Sequence, residues 1–425
     1  MDPPRRAVRI GGGLIVLLVG LQLGASLPAV HVVRLNDFPA YWAAGKMVLE
    51  GQPERIYSTE WKWFTNLPVV AVLGVPLASF EYETAWEILW WLSVLSFVGI
   101  FGLLAFAVAR YFPPLDPVRL AMIALVFFCF GPVMRRCLML GQTTPLVVLL
   151  FGVVYLLARE QRDRLAGLVL GVICVIKIPP LLLLPLLVAR RRLEMAGVAI
   201  CVVVAAVLAS WLFFGGDLMQ QYADRVILDN FGRVHAAFNN QSLDGAFMRI
   251  LSEQGLADWV PVPRPMDERL AVYGLIAVLA IVLWVRGRTL LWPARRPADA
   301  DPHAGSLELE LGLGVALMLL VFPIVWIHYY LFLLVPLALL PLWWQQRELS
   351  LGTGARTLTI ALFVLGTWWA GGQEVHENAW YAARETETLL RWRLNLQPLG
   401  ALLLVGACAV PLAEMARRQQ SSDQG

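Results

Sequence analysis

The chain is poor in charge for its length. Charged residues make up 15% of 425 positions and hydrophobic ones 59%, a balance that excludes an ordinary soluble domain. The formal net charge of +3 is too small for a nucleic-acid binder. Cysteine is scarce: Cys129, Cys137, Cys174, Cys201 and Cys408 form no CxxC pair and no zinc-type spacing, and they read as free thiols in apolar surroundings. A Walker loop, a GxSxG elbow and the kinase signatures are all missing, which argues against nucleotide-driven chemistry. No metal site and no cofactor are expected. No repeat of 20–50 residues and no second soluble domain is visible, so residues 1–425 read as one integral membrane unit.

Apolar runs recur from end to end. The first, 10–30, has no charge over 21 residues and is long enough to fill a hydrocarbon layer about 30 Å thick. The N-terminus before it resembles a signal-peptide n-region, but the length of the run and Pro28 point to an uncleaved first helix. Further runs lie at 66–80, 84–109, 118–134, 143–158, 165–189, 193–214, 270–285, 307–325, 329–344, 355–371 and 396–416. The 17 tryptophans fall mostly near the ends of these stretches, as in an interfacial belt. The expected fold is all-α and polytopic.

Arginine-rich loops should face the cytoplasm. Arg5, Arg6 and Arg9, the turns 159–164 and 190–192, the linker 286–306 and Arg417-Arg418 can all do so under two conditions. The run 66–80 must dip in and return. The run 165–189 must break at Lys177-Ile178-Pro179-Pro180 and leave by the face it entered. About ten full spans and two broken or re-entrant segments result. The loops 31–65 and 215–269 then lie outside, with Arg135-Arg136 as an exception to the charge rule. Within 31–65, Phe38, Tyr41, Trp42, Gly45, Val48 and Leu49 share a helical face, so an external amphipathic helix is expected there.

The polar residues of interest collect in these external places. Asp37 follows the first span at the membrane surface. It can cap the next helix, with Pro39 in the first turn, or serve as a base. Gln142, after Gly141, can give and accept hydrogen bonds with sugar hydroxyls. Lys177 is a lone cation within 25 apolar residues, a position that is costly and usually functional. It could instead be one half of a structural ion pair. Arg233, His235, Asn239, Asn240 and Gln241 form a polar cluster, and His328 sits where two runs meet.

In order, these elements resemble glycosyltransferase family 87, a group of GT-C integral membrane enzymes that includes polyprenyl-phosphate-mannose-dependent mannosyltransferases. The resemblance rests on Asp37-x3-Tyr41 with Gly51 and Tyr57, then Gly141-Gln142, Ala166-Gly167 before Lys177-x-Pro179, Asn240-Gln241-Ser242 and His328. Where the family has an aromatic-x-Pro-Pro stretch, this chain has Phe64-Thr65-Asn66-Leu67-Pro68. The resemblance implies inverting transfer of a hexose, mannose foremost, from a polyprenyl-phosphate donor to a lipid or glycan acceptor. The place would be the external face of a bacterial plasma membrane. It implies Asp37 as the base. Lys177, Arg233 and His328 are candidates for the donor phosphate. Tyr41, Tyr57, Gln142, Asn240 and Gln241 are candidates for sugar and acceptor. A transporter or flippase of a lipid-linked sugar is the competing expectation; it would use the same residues for binding alone, and the inverted repeats typical of transporters are not seen.

Overall fold

A computed structural model describes residues 37–58, 64–256, 260–291, 307–346, 352–371 and 387–422, with Gly20 and Gly24 before them. The first apolar run, the linker residues 297–305 and the loop 372–386 lie outside the described residues.

The described chain is helical almost throughout. Helix α1 (Phe38–Leu49) is followed by α2 (Pro68–Ala78), α3 (Tyr82–Tyr111), α4 (Pro117–Leu140), α5 (Thr144–Arg159) and α6 (Asp163–Ile176). A 3₁₀ turn at Pro179–Leu183 leads into α7 (Leu184–Ala189), then α8 (Leu193–Phe214), α9 (Gly216–Tyr222) and α10 (Asp229–Gly232). Strands β1 (Arg233–Val234) and β2 (Val262–Pro263) pair antiparallel around α11 (Leu243–Leu251). The rest is α12 (Met266–Leu291), α13 (Leu307–Val321), a 3₁₀ stretch Ile327–Leu333 running into α14 (Leu334–Gln346), α15 (Thr353–Gly371), α16 (Glu387–Leu394) and α17 (Leu396–Ser422).

Five segments among the described residues are long and apolar enough to cross a bilayer: Tyr82–Tyr111, Pro117–Leu140, Leu193–Phe214, Ile327–Trp344 and Arg391–Pro411. The protein is thus a polytopic helical membrane protein. Helix α2 has only 11 residues, about 16 Å of rise, and does not cross alone.

Two ends of the bundle are chemically distinct. At one end the turns between α5 and α6 and between α7 and α8 interlock through ion pairs. Arg192 meets Asp163 at 2.8 Å, Arg164 meets Glu194 at 3.1 Å and Arg159 meets Glu308 at 3.5 Å. Arg190 pairs with Glu310, and the buried Tyr155 donates to Glu308 at 2.8 Å. Helix α5, 16 residues long, separates this basic end from Gln142 by about 24 Å. Helix α6 rises from the basic end and stops at Ile176. Lys177 is extended, with φ −137° and ψ 117°. The Pro179-Pro180 stretch cannot continue an α-helix, and α7 brings the chain back to Arg190. This segment therefore enters and leaves by the basic end.

Helix α1 departs from the sequence pattern. The buried side is Phe38, Ala40, Ala43, Ala44, Gly45 and Met47, while Leu49 is 48% exposed. Small residues decide this. A Cβ on Gly45 would stand 2.5 Å from the Gly74 carbonyl carbon, so two glycines let the backbones of α1 and α2 touch. The face of α1 that packs is the one that permits close approach, not the most hydrophobic one.

Candidate active site

Asp37 stands at the entry to α1, and its backbone is anchored: its N–H donates to the Leu140 carbonyl at 3.1 Å. Leu140 ends α4, where Gly141 takes a left-handed conformation (φ 64°) that glycine tolerates without strain. That turn delivers Gln142, whose N–H returns to the Cys137 carbonyl at 3.1 Å. Residues 105 positions apart are thereby held side by side. The Asp37 carboxylate makes no capping hydrogen bond. It accepts one from Gln142 Nε2 instead.

The other end of the same amide reaches Lys177. Lys177 Nζ donates to Gln142 Oε1 at 2.9 Å and to the Tyr41 hydroxyl at 3.5 Å. It lies 5.1 Å from the centre of the Tyr329 ring, a cation–π distance. Tyr41 stands one helical turn after Asp37 on α1, so both side chains come from the same side of it. Lys177 is 5% exposed and, among the described residues, makes no ion pair with a carboxylate. No structural ion pair of this lysine is seen among them. Its buried charge is partnered by an amide, a phenol and a ring.

His328 adjoins this group. Its ring packs edge-on against Tyr329 with centroids 4.8 Å apart, and its buried Nε2 has no hydrogen-bond partner. Arg136, on the last turns of α4, is near enough for its charge to act on His328.

The other sequence candidates take different positions. The Asn240 side chain is fully engaged by the protein. Its Oδ1 accepts from Ser242 Oγ at 2.9 Å and from the Val325 N–H at 3.3 Å, and its Nδ2 donates to the His235 carbonyl at 3.1 Å. Gln241 donates through its backbone to Val325 and through Nε2 to Phe238, leaving Oε1 buried without a partner. These bonds fasten residues 235–242 to the hook 323–330 that carries His328. The Tyr57 hydroxyl is taken by the Asn66 carbonyl at 2.5 Å. Arg233 is exposed on β1, and none of the contacts of Asp37, Gln142 or Lys177 reaches it. Among the described residues no group of three His, Cys, Asp or Glu is placed to hold a metal ion. The chain's one Asp-x-Asp sequence, Asp299-Ala300-Asp301, falls in the linker outside them.

Sequence reasoning missed Tyr329 as the ring beneath Lys177. It also missed a second charged group in the 233–268 lobe. There Arg264 pairs with the buried Asp244 at 2.6 Å beside the buried Glu268. An Asp and an Arg 20 residues apart in a polar loop give no sequence signal of burial.

A bundle of membrane-spanning helices that carries a half-buried carboxylate linked through a buried amide to a buried ammonium at one end belongs to the class of polytopic membrane enzymes. The model of glycosyltransferase family 87 matches residues 64–323, well over half of the chain, and the protein belongs to that family. It is 28% identical over 383 residues to a polyprenol-phosphate-mannose-dependent alpha-(1-2)-phosphatidylinositol pentamannoside mannosyltransferase of Mycobacterium tuberculosis, covering 87% of this chain and 80% of the relative. No solved structure matches. Asp37 and Tyr41 precede the stretch matched by the family model.

Proposed function

We propose that the protein transfers mannose from a polyprenyl-phosphate donor to a glycolipid acceptor at the external membrane surface. Family membership and the relative's name support the donor and acceptor classes. The observation that carries the mechanism is the chain Asp37–Gln142–Lys177, in which no carboxylate among the described residues pairs with the ammonium.

The acceptor hydroxyl oxygen attacks the anomeric carbon while its proton passes to Asp37. The bond from that carbon to the phosphate oxygen breaks, and its electron pair leaves on the lipid phosphate. This leaving group is a stable anion and needs no general acid. Lys177 balances its charge in a water-poor site, where a fixed cation acts strongly. The unpartnered His328 Nε2 faces the same task. Tyr41 and Gln241 are the sugar contacts, whereas Tyr57 and Asn240 act through the backbone they hold. Arg233, exposed on β1, is a surface contact for the donor headgroup.

The test uses purified protein in lipid discs, polyprenyl-phosphate mannose as donor and a phosphatidylinositol mannoside as acceptor. Mannose should move to the acceptor with inversion at the anomeric carbon. Donor binding without any transfer, paired with movement of donor between leaflets, would favour the transporter reading.

A further inference from the structure

Gln142 lies 4% exposed between two groups of opposite charge. Its amide nitrogen donates to Asp37 Oδ2 and its amide oxygen accepts from Lys177 Nζ at 2.9 Å. Only one orientation of the amide serves both neighbours. Turned over, it would face oxygen to carboxylate and NH₂ to ammonium. The backbone under all three residues is held, through Asp37 N–H to Leu140, Gln142 N–H to Cys137 and Lys177 N–H to Ile173. Among the described residues no other side chain is hydrogen-bonded to the Asp37 carboxylate.

We infer that Gln142 is a positioning residue that holds Asp37 and Lys177 apart and aligned, and not a ligand for sugar hydroxyls. This rests on the proposed roles of Asp37 as base and Lys177 as phosphate cation. A half-buried carboxylate and a buried ammonium left alone would close into a direct ion pair, and each would lose the group it is meant to meet. Transfer with inversion needs the opposite. The base must stand on the acceptor side of the anomeric carbon and the cation on the leaving-group side. Inverting glycosidases show the same need for separation: their two carboxyl groups stand about 6.5–9.5 Å apart to leave room for the attacking water. An amide satisfies an anion at one end and a cation at the other while remaining neutral.

The arrangement also couples the two halves of the reaction. A donor phosphate that draws Lys177 toward itself weakens the bond to Gln142 Oε1, so the amide is free to follow Asp37 as it takes up the acceptor proton.

The decisive variant is Gln142→Glu, which keeps shape and length but places a second carboxylate against Asp37. Two facing carboxylates share a proton, so the acid limb of the pH–rate profile for mannose transfer should move up by at least about one pH unit. Donor affinity for polyprenyl-phosphate mannose should stay within about threefold, because Lys177 keeps an acceptor. A profile that does not move overturns the inference, whether or not the rate falls. If Gln142→Glu fails to fold, Gln142→Asn decides. Its shorter side chain cannot reach both groups, so kcat should fall at least about tenfold with donor affinity within about threefold. Wild-type kcat, or a loss confined to donor affinity, overturns the inference. Failure of the underlying reading looks different: Asp37→Asn would then remain active. An inactive Asp37→Asn beside an unmoved Gln142→Glu profile removes the positioning role alone.

Discussion

Lys177 is legible in the sequence as a charge where the surrounding hydropathy does not allow one without a purpose. Asp37 stands out instead by its place, just past the first apolar run at the membrane surface. Their partners were less legible, because a hydrogen bond between positions 37 and 142 has no sequence period. The N-cap reading of Asp37 was reasonable from Pro39, and geometry removes it, since the carboxylate accepts from Gln142 and from no α1 amide. Asp37→Asn should therefore lower transfer at least about 100-fold with little change in melting temperature; near-normal activity would overturn the assignment of the base. For Lys177, the absence of a carboxylate partner fixes the expected pattern. Lys177→Met strands no buried anion, so the protein should stay folded while donor affinity and transfer fall together by at least about tenfold. Arg at the same position should rescue in part, because a planar fork is a poor substitute for a compact ammonium. Donor affinity measured beside a melting curve checks both, and a stable Met variant with wild-type affinity would remove Lys177 from the site.

Helix boundaries followed the apolar runs closely, and the break after Ile176 falls where Lys177-Ile178-Pro179-Pro180 required one. Helix faces were harder to read. On α1 the packing side was set by Gly45 against Gly74, a contact between backbones that hydropathy does not encode. Gly45→Ala should push α1 off α2 and cost about 1–3 kcal/mol. Since α1 carries Asp37 and Tyr41, transfer should fall with it, and a wild-type melting temperature would show that the helices can part at no cost. The 233–268 lobe offers a test through pH. Burial, chiefly, and then the neighbouring Glu268 push the Asp244 carboxyl up to about 8, against the pull of Arg264. The ordinary value is 3.8. Between these values the folded lobe holds a proton that the unfolded chain has released. Stability from this group is thus fully present below about 4 and lost as pH rises through about 8. Asp244→Asn should flatten that part of the dependence, which melting curves between pH 5 and 9 would reveal. An unchanged slope would mean the buried pair carries no shared proton.

The whole molecule has a polarity that neither end displays alone. Arginines at 159–164 and 190–192 interlock with acids at one end, and Asp37, Gln142, Lys177 and Tyr329 gather toward the other. Helices α5 and α6, of 16 and 14 residues, join them over about 24 and 21 Å, short of the hydrocarbon layer of about 30 Å. The charge rule predicts a cytoplasmic arginine end, which would put the proposed site outside, where a lipid-borne sugar would be presented. Thiol labelling tests this directly. Cys201 is exposed on the apolar α8 and should first be replaced by Ser, leaving the four buried thiols unreactive. A membrane-impermeant maleimide added to intact cells should then modify Glu253→Cys, which is exposed in the lobe after α11. It should leave Arg162→Cys, exposed at the α5–α6 turn, untouched until the membrane is opened. The two sites lie on the same molecule, so each serves as the other's control for expression and folding. The reverse pattern would place the arginine end outside. The carboxylate–amide–ammonium chain would then face the cytoplasm, and the transferase would have to draw its donor from the inner leaflet.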